Sequence, residues 1–86
     1  MSILSVLATI SGALMGSSNF PQAYKIFKRK KAADISIITY LILLIGTIIW
    51  VIYGIDIKNT AIIIANALGT IAVVLVSIGW ILYRKN

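Results

Sequence analysis

Three long apolar stretches, separated by two short polar segments, dominate the chain. They cover residues 3–24, 35–55 and 60–83, and none of them contains Lys, Arg, His, Asp or Glu. A helix needs about 20 such residues to cross roughly 30 Å of hydrocarbon. No Lys or Arg precedes the first stretch, which also outruns the apolar region of a typical signal peptide, so we interpret it as a span. The pattern predicts an all-α membrane protein, one unit over residues 1–86 with three transmembrane helices.

Within each predicted helix, small and polar residues fall on one face at 100° per residue. The three faces contain Ser5, Thr9, Gly12, Gly16 and Asn19; Ser36, Tyr40, Leu43, Thr47, Trp50 and Gly54; and Asn59, Asn66, Thr70 and Ser77. Small residues and hydroxyls commonly join membrane helices, and the GxxxG pair Gly12 and Gly16 favours this interpretation.

Trp50 and Asn66 occupy matching depths in their predicted helices. Each lies about five or six residues outward from the middle of its helix, roughly 8 to 9 Å from the midplane at 1.5 Å per residue. An indole next to a carboxamide suits a sugar, because pyranose C–H faces stack on the ring and the amide both donates and accepts hydrogen bonds. An interfacial Trp with a structural Asn is the alternative.

Pro21 interrupts the inner part of the first predicted helix. Proline has no N–H to donate to the Ser17 carbonyl, so we expect a kink there. With Gln22 beside it, the kink is a candidate hinge, since broken helices are a common device of transporters. A purely structural kink is the alternative.

Composition narrows the function further. The chain is 60% hydrophobic and 12% charged, with neither Cys nor His and only two carboxylates, Asp34 and Asp56. Its mean hydropathy is +1.04. Thiolate and imidazole metal sites, disulfides and acid/base pairs are therefore excluded or nearly so. We expect no enzyme activity, no metal and no cofactor.

The basic residues indicate the topology. Of eight cations, seven fall in residues 25–34 or at the C-terminus, which lie on one side of a three-span protein. This distribution indicates a cytoplasmic C-terminus, with the N-terminus outside, so the net charge of +6 is interpreted as a topology signal rather than as a sign of a nucleic-acid partner.

A set of short motifs runs through most of the chain: Phe20-Pro21-Gln22, Asp34-Ile35-Ser36 with Tyr40, Gly46, Trp50, Tyr53-Gly54 and Ala65-Asn66. Together these motifs resemble the bacterial SemiSWEET sugar transporters of the PQ-loop superfamily. The resemblance implies a parallel homodimer of two triple-helix bundles in a bacterial inner membrane, with alternating access. It also implies one central sugar pocket lined by Trp50 and Asn66 of both protomers. Phe20 and Tyr40 are then inner-gate candidates, and Tyr53 is the outer-gate candidate.

Two departures from the family pattern and two rival functions bear on this interpretation. Ile57 and Asn59 stand where relatives often carry a charged outer gate, and Thr39 stands where many carry Met.

The two rival functions are a PQ-loop carrier of amino acids and a non-transporting small membrane subunit. An amino acid carrier would be expected to place a charge in its pocket, but the spans contain none. The resemblance implies a carrier of mono- or disaccharides, and the lack of ionisable groups in the spans predicts that it is a passive uniporter.

Overall fold

The structure, a computed structural model, describes residues 2–85 and is helical throughout apart from short connections. Its elements are α1 (Ile3–Gly16), a 3-10 turn (Ser17–Asn19), α2 (Phe20–Arg29), α3 (Ile37–Asp56) and α4 (Thr60–Tyr83). α1, the turn and α2 form one helical segment, so the described chain has three segments long and apolar enough to cross a membrane. The predicted all-α, three-span bundle is confirmed.

Helix α4 is the centre of the bundle. It packs against α1, the turn and α2 on one side and against α3 on the other, and in residues 2–85 no Cα of α3 comes within 8 Å of α1, the turn or α2. The Cα atoms extend 47 × 21 × 13 Å. α1 and α3 therefore flank α4 without meeting each other.

The buried core is small and lies mainly where α2 meets α4. Ala23 and Ile26 of α2 are buried against Val76 of α4, and Ala32 of the following linker is fully buried beside them. The backbone N–H of Ala32 donates to the Tyr83 carbonyl at 3.2 Å. The linker is thereby held against the C-terminal end of α4.

The GxxxG pair packs α1 against α4, as the sequence indicated. A Cβ on Gly12 would lie 2.9 Å from the Cβ of Ala65, and a Cβ on Gly16 would overlap the Ala65 carbonyl oxygen. Only glycine permits this approach, because any other residue brings a Cβ into the space that α4 occupies.

Two helix ends differ by two or more residues from the approximate span ends that the sequence predicts. Residues 25–29 were expected in a linker but continue α2, because Ile26 and Ala23 are buried on α4 and keep this basic segment helical. α2 ends when Lys30 adopts a left-handed conformation with φ 57°. α3 begins at Ile37 rather than at residue 35, because the Ser36 side chain accepts a hydrogen bond from the Thr39 N–H and caps the helix.

The break in the first span lies one turn before Pro21. The Ser17 carbonyl was expected to lose its partner, but it accepts a hydrogen bond from the Phe20 N–H in the 3-10 turn. Pro21 then occupies the first turn of α2. The N–H groups of a first turn have no acceptor within the helix, so a missing N–H there removes no helical hydrogen bond. The proline therefore separates two α-helices instead of leaving an open carbonyl.

Candidate functional site

A cavity of about 370 Å³ opens on one face of the bundle and is lined by both Trp50 of α3 and Asn66 of α4. Its remaining lining residues are Ala8, Gly12, Ala61, Ile62 and Ala65. The small side chains leave space beside the indole, which is 51% exposed. The two residues that the sequence placed at one depth thus line one cavity.

The Asn66 carboxamide is oriented by its own helix. Its Nδ2 donates to the Ile62 carbonyl at 2.9 Å. In residues 2–85 no donor reaches its Oδ1, so this oxygen is available to accept a hydrogen bond from a ligand hydroxyl. Asn66, which lines the cavity, therefore keeps one acceptor without a protein donor in these residues.

A second cavity of about 360 Å³ extends from Asn66 towards the 3-10 turn. The two cavities share Gly12, Ala65 and Asn66. The second cavity is also lined by Met15, Gly16, Ser18, Asn19, Leu43, Thr47, Gly69 and Val73. Asn66 thus stands where the two cavities meet, on a path that continues to the polar residues of the turn.

Two threonines join α3 to α4 beside this path. The Oγ1 atoms of Thr47 and Thr70 lie 2.9 Å apart. The Thr47 hydroxyl donates to the Leu44 carbonyl at 3.1 Å, so the Thr70 hydroxyl is the donor between the two side chains, and its oxygen also lies 2.8 Å from the Asn66 carbonyl oxygen. The sequence placed both on small-residue faces but gave no sign that they touch. Their contact fixes the position of Asn66 relative to α3.

The two inner-gate candidates, Phe20 and Tyr40, do not form a ring contact with each other in the described residues, but Tyr40 is hydrogen-bonded to the 3-10 turn. The hydroxyl of Tyr40 donates to Oδ1 of Asn19 at 3.3 Å, which links α3 to the break in the first span. No ring contact joins Tyr40 to Phe20 in the described chain. Asn19 was missed as a gate residue, although its place on the polar face of the first helix was a signal. The hinge candidate Gln22 lines a different cavity, away from Asn66.

The outer-gate candidate Tyr53 contacts the site directly. Its ring packs edge-on against Trp50, with centroids 5.6 Å apart and planes at 84°. This contact holds the indole beside the cavity. Nearby, Asp56 and Lys58 form no ion pair with any residue between 2 and 85.

Comparison with known proteins identifies the family. A family described as sugar efflux transporters for intercellular exchange matches residues 2–86. A crystal structure described as a bacterial homologue of SWEET transporters is 34% identical, covers 95% of this chain and 99% of its own, and superposes with a TM-score of 0.88. The chain is a SemiSWEET-type sugar transporter. No curated protein sequence matches it significantly.

Membership in this transporter family confirms three predictions from the sequence: the family, the three-helix membrane fold and a function other than catalysis. It also favours sugar transport over both rivals, the amino acid carrier and the non-transporting subunit. In this SemiSWEET, the cavity shared by Trp50 and Asn66 is the candidate sugar site.

Proposed function

We propose that this SemiSWEET binds mono- or disaccharides between Trp50 and Asn66 and carries them by passive uniport with alternating access. The observation that carries the proposal is the cavity lined by both residues, with Asn66 Oδ1 unoccupied by any donor of residues 2–85. A pyranose offers C–H faces for the indole and hydroxyl donors for the oxygen. The family supplies the substrate class.

The working unit we propose is a parallel homodimer. Both cavities that meet at Asn66 are open at the surface of the single chain, so enclosing a sugar needs a second wall. A second copy supplies an identical face across a two-fold axis. Asn66 lies roughly 8 Å from the midplane, so antiparallel copies would separate the two amides by roughly 16 Å in depth, whereas parallel copies bring them to one level.

Cross-linking tests the parallel arrangement, and the natural chain has no Cys to interfere. Ala8 lines the cavity shared by Trp50 and Asn66, and Ser18 lines the second cavity, which extends towards the 3-10 turn. We expect Ala8→Cys to bridge with Ala8→Cys, and Ser18→Cys with Ser18→Cys. Ile71→Cys, outside both cavities, is the control. Bridges that form only between Ala8→Cys and Ser18→Cys would show antiparallel pairing and contradict the proposal.

The hinge we propose is the 3-10 turn with Pro21 and Gln22 directly after it. Pro21→Ala restores an N–H that can donate to the Ser17 carbonyl, so the first span can become one continuous α-helix. We expect sugar exchange to slow severalfold while the dissociation constant changes less than twofold. Exchange rates in proteoliposomes and calorimetric binding separate the two effects. Weaker binding with unchanged exchange would refute the hinge.

The gates we propose close the two ends of this path. Tyr40, bonded to Asn19, and Phe20 close the inner end, because opening there requires α3 to part from the turn. Tyr53 closes the outer end from its position against Trp50. The basic segment of α2 and Arg84 lie at the same end of the bundle, since Ala32 bonds to Tyr83. This supports a cytoplasmic C-terminus and an external N-terminus in the inner membrane.

The composition of the spans supports the proposed uniport. α1, α3 before its last residue, and α4 contain no ionisable Asp, Glu, His, Lys or Arg to bind or relay a proton. In sealed vesicles with equal glucose or sucrose on both sides and label added outside, we expect the label to equilibrate to the same level whether or not a pH or Na⁺ gradient is imposed. Net accumulation of sugar inside would contradict uniport, whereas failure of the label to enter would contradict transport itself.

A further inference from the structure

A basic cavity lies outside the sugar path, between α2 and the linker of residues 30–36. Its volume is about 330 Å³, and its lining residues are Gln22, Lys25, Ile26, Arg29, Lys31, Ala33 and Asp34. None of them lines the two cavities that meet at Asn66. The cavity therefore belongs to neither part of the candidate sugar site.

The charges around this cavity are not balanced. Lys25, Arg29 and Lys31 face one carboxylate, Asp34, and no ion pair within 4.0 Å joins Asp34 to any of the three in the described chain. Lys25 and Arg29 are four residues apart on α2, a spacing at which like charges destabilise a helix. An anion in the cavity would remove this repulsion.

The cavity lies at the depth of lipid headgroups. α4 has 24 residues, which at 1.5 Å per residue is about 36 Å and exceeds the roughly 30 Å of hydrocarbon. The linker beside the cavity is bonded to the end of α4 through Ala32 and Tyr83. Two cations also lie over aromatic rings at this end, Lys28 over Tyr24 and Arg84 over Trp80, at 5.5 and 5.2 Å. Aromatic and basic residues together mark the interface.

We propose that this cavity binds the phosphate-bearing headgroup of an anionic phospholipid. The Arg29 guanidinium offers two parallel donors to a phosphate, and Lys25 and Lys31 add charge. Gln22 and Asp34 are suited to the hydroxyls of a headgroup such as phosphatidylglycerol. Three cations against one carboxylate favour a lipid with net negative charge over a zwitterionic one. The inference does not depend on the transport mechanism.

Lipid binding can be measured with a closely matched pair of variants. Lys25 and Lys28 are one turn apart on α2, but only Lys25 lines the cavity. We titrate phosphatidylglycerol into the detergent-solubilised protein and count bound lipid by native mass spectrometry. At 0.15 M salt, charges beyond about 8 Å are largely screened. We expect Lys25→Gln to weaken binding about fivefold and Lys28→Gln less than twofold.

Further variants and a second lipid test whether the ligand is an anionic phospholipid. Lys25→Arg should retain binding, and circular dichroism should show equal helix content in all variants. Phosphatidylcholine, which carries a phosphate but no net charge, should bind at least fivefold more weakly than phosphatidylglycerol. Equal losses in Lys25→Gln and Lys28→Gln, or equal binding of both lipids, would overturn the proposal. So would saturation of the cavity by inorganic phosphate or glycerol phosphate without lipid, because the ligand would then be soluble.

Discussion

Replacing Asn66 by Ala is expected to reduce sugar uptake at least tenfold and to leave the helices intact. The amide donates only to its own helix, at the Ile62 carbonyl, so its loss breaks no contact between helices. The Oδ1 atom is the acceptor that we assign to the sugar, and losing one or two such hydrogen bonds costs roughly tenfold in binding. Initial uptake rates in proteoliposomes, at equal protein abundance, measure the effect.

Ser77→Ala is the matched control for this experiment. Like Asn66, Ser77 lies on α4 and donates to the carbonyl four residues before it, Val73, at 2.8 Å. It lines neither cavity that meets at Asn66. We expect this variant to transport normally. Equal uptake by Asn66→Ala and Ser77→Ala would remove Asn66 from the sugar site.

Trp50→Ala should reduce uptake to a similar extent, because it removes the stacking face of the site. Trp50→Phe keeps an aromatic face and the edge contact with Tyr53, so its uptake should be intermediate. If Trp50→Ala and Asn66→Ala both transport normally, the sugar lies elsewhere in the protein.

The sequence predicted the spans and the depth of the candidate site for the same physical reason. A membrane helix must be long, apolar and internally hydrogen-bonded, so its presence and approximate extent can be predicted from hydropathy. Its rise of 1.5 Å per residue then converts residue number into height. Trp50 and Asn66 could thus be placed at one level before their helices were positioned.

The sequence could not predict which helices touch. The hydrogen bond between Tyr40 and Asn19 and the contact between Thr47 and Thr70 depend on α4 lying between its neighbours. A helical wheel gives the direction of each side chain within its helix but not the partner on that side. The order of the three helices, and with it the residues beside Asn66, required the structure.

Charge misled the prediction of where the first span ends. Hydropathy falls at Lys25, so the basic run was interpreted as a linker. Backbone hydrogen bonds, however, require only a helical conformation, and Ile26 is buried beside Gly79 of α4 while the lysines point away. This amphipathic continuation resembles helices at the membrane surface, where one face is apolar and the other is solvated. The packing of Ile26 on α4 therefore extends the helix to Arg29, five residues beyond the end predicted from composition.

Gly16→Ala should destabilise the protein by about 3 kcal/mol, the upper part of the range for overpacking. The new Cβ would overlap the Ala65 carbonyl oxygen. That oxygen belongs to the backbone of α4, so no side chain can rotate to make room, and the two helices must separate. The same movement would displace the neighbouring Asn66, so uptake should fall with stability.

Gly46→Ala provides the control, since a Cβ there meets no atom within 4 Å. Both variants add one methyl group to a glycine in a membrane helix, so they differ only in the space available. We expect Gly46→Ala to stay within about 0.5 kcal/mol of the natural protein. Reversible unfolding in detergent, followed by circular dichroism, gives both values. Equal stability of the two variants would show that α1 and α4 do not approach as closely as Gly16 and Ala65 do here.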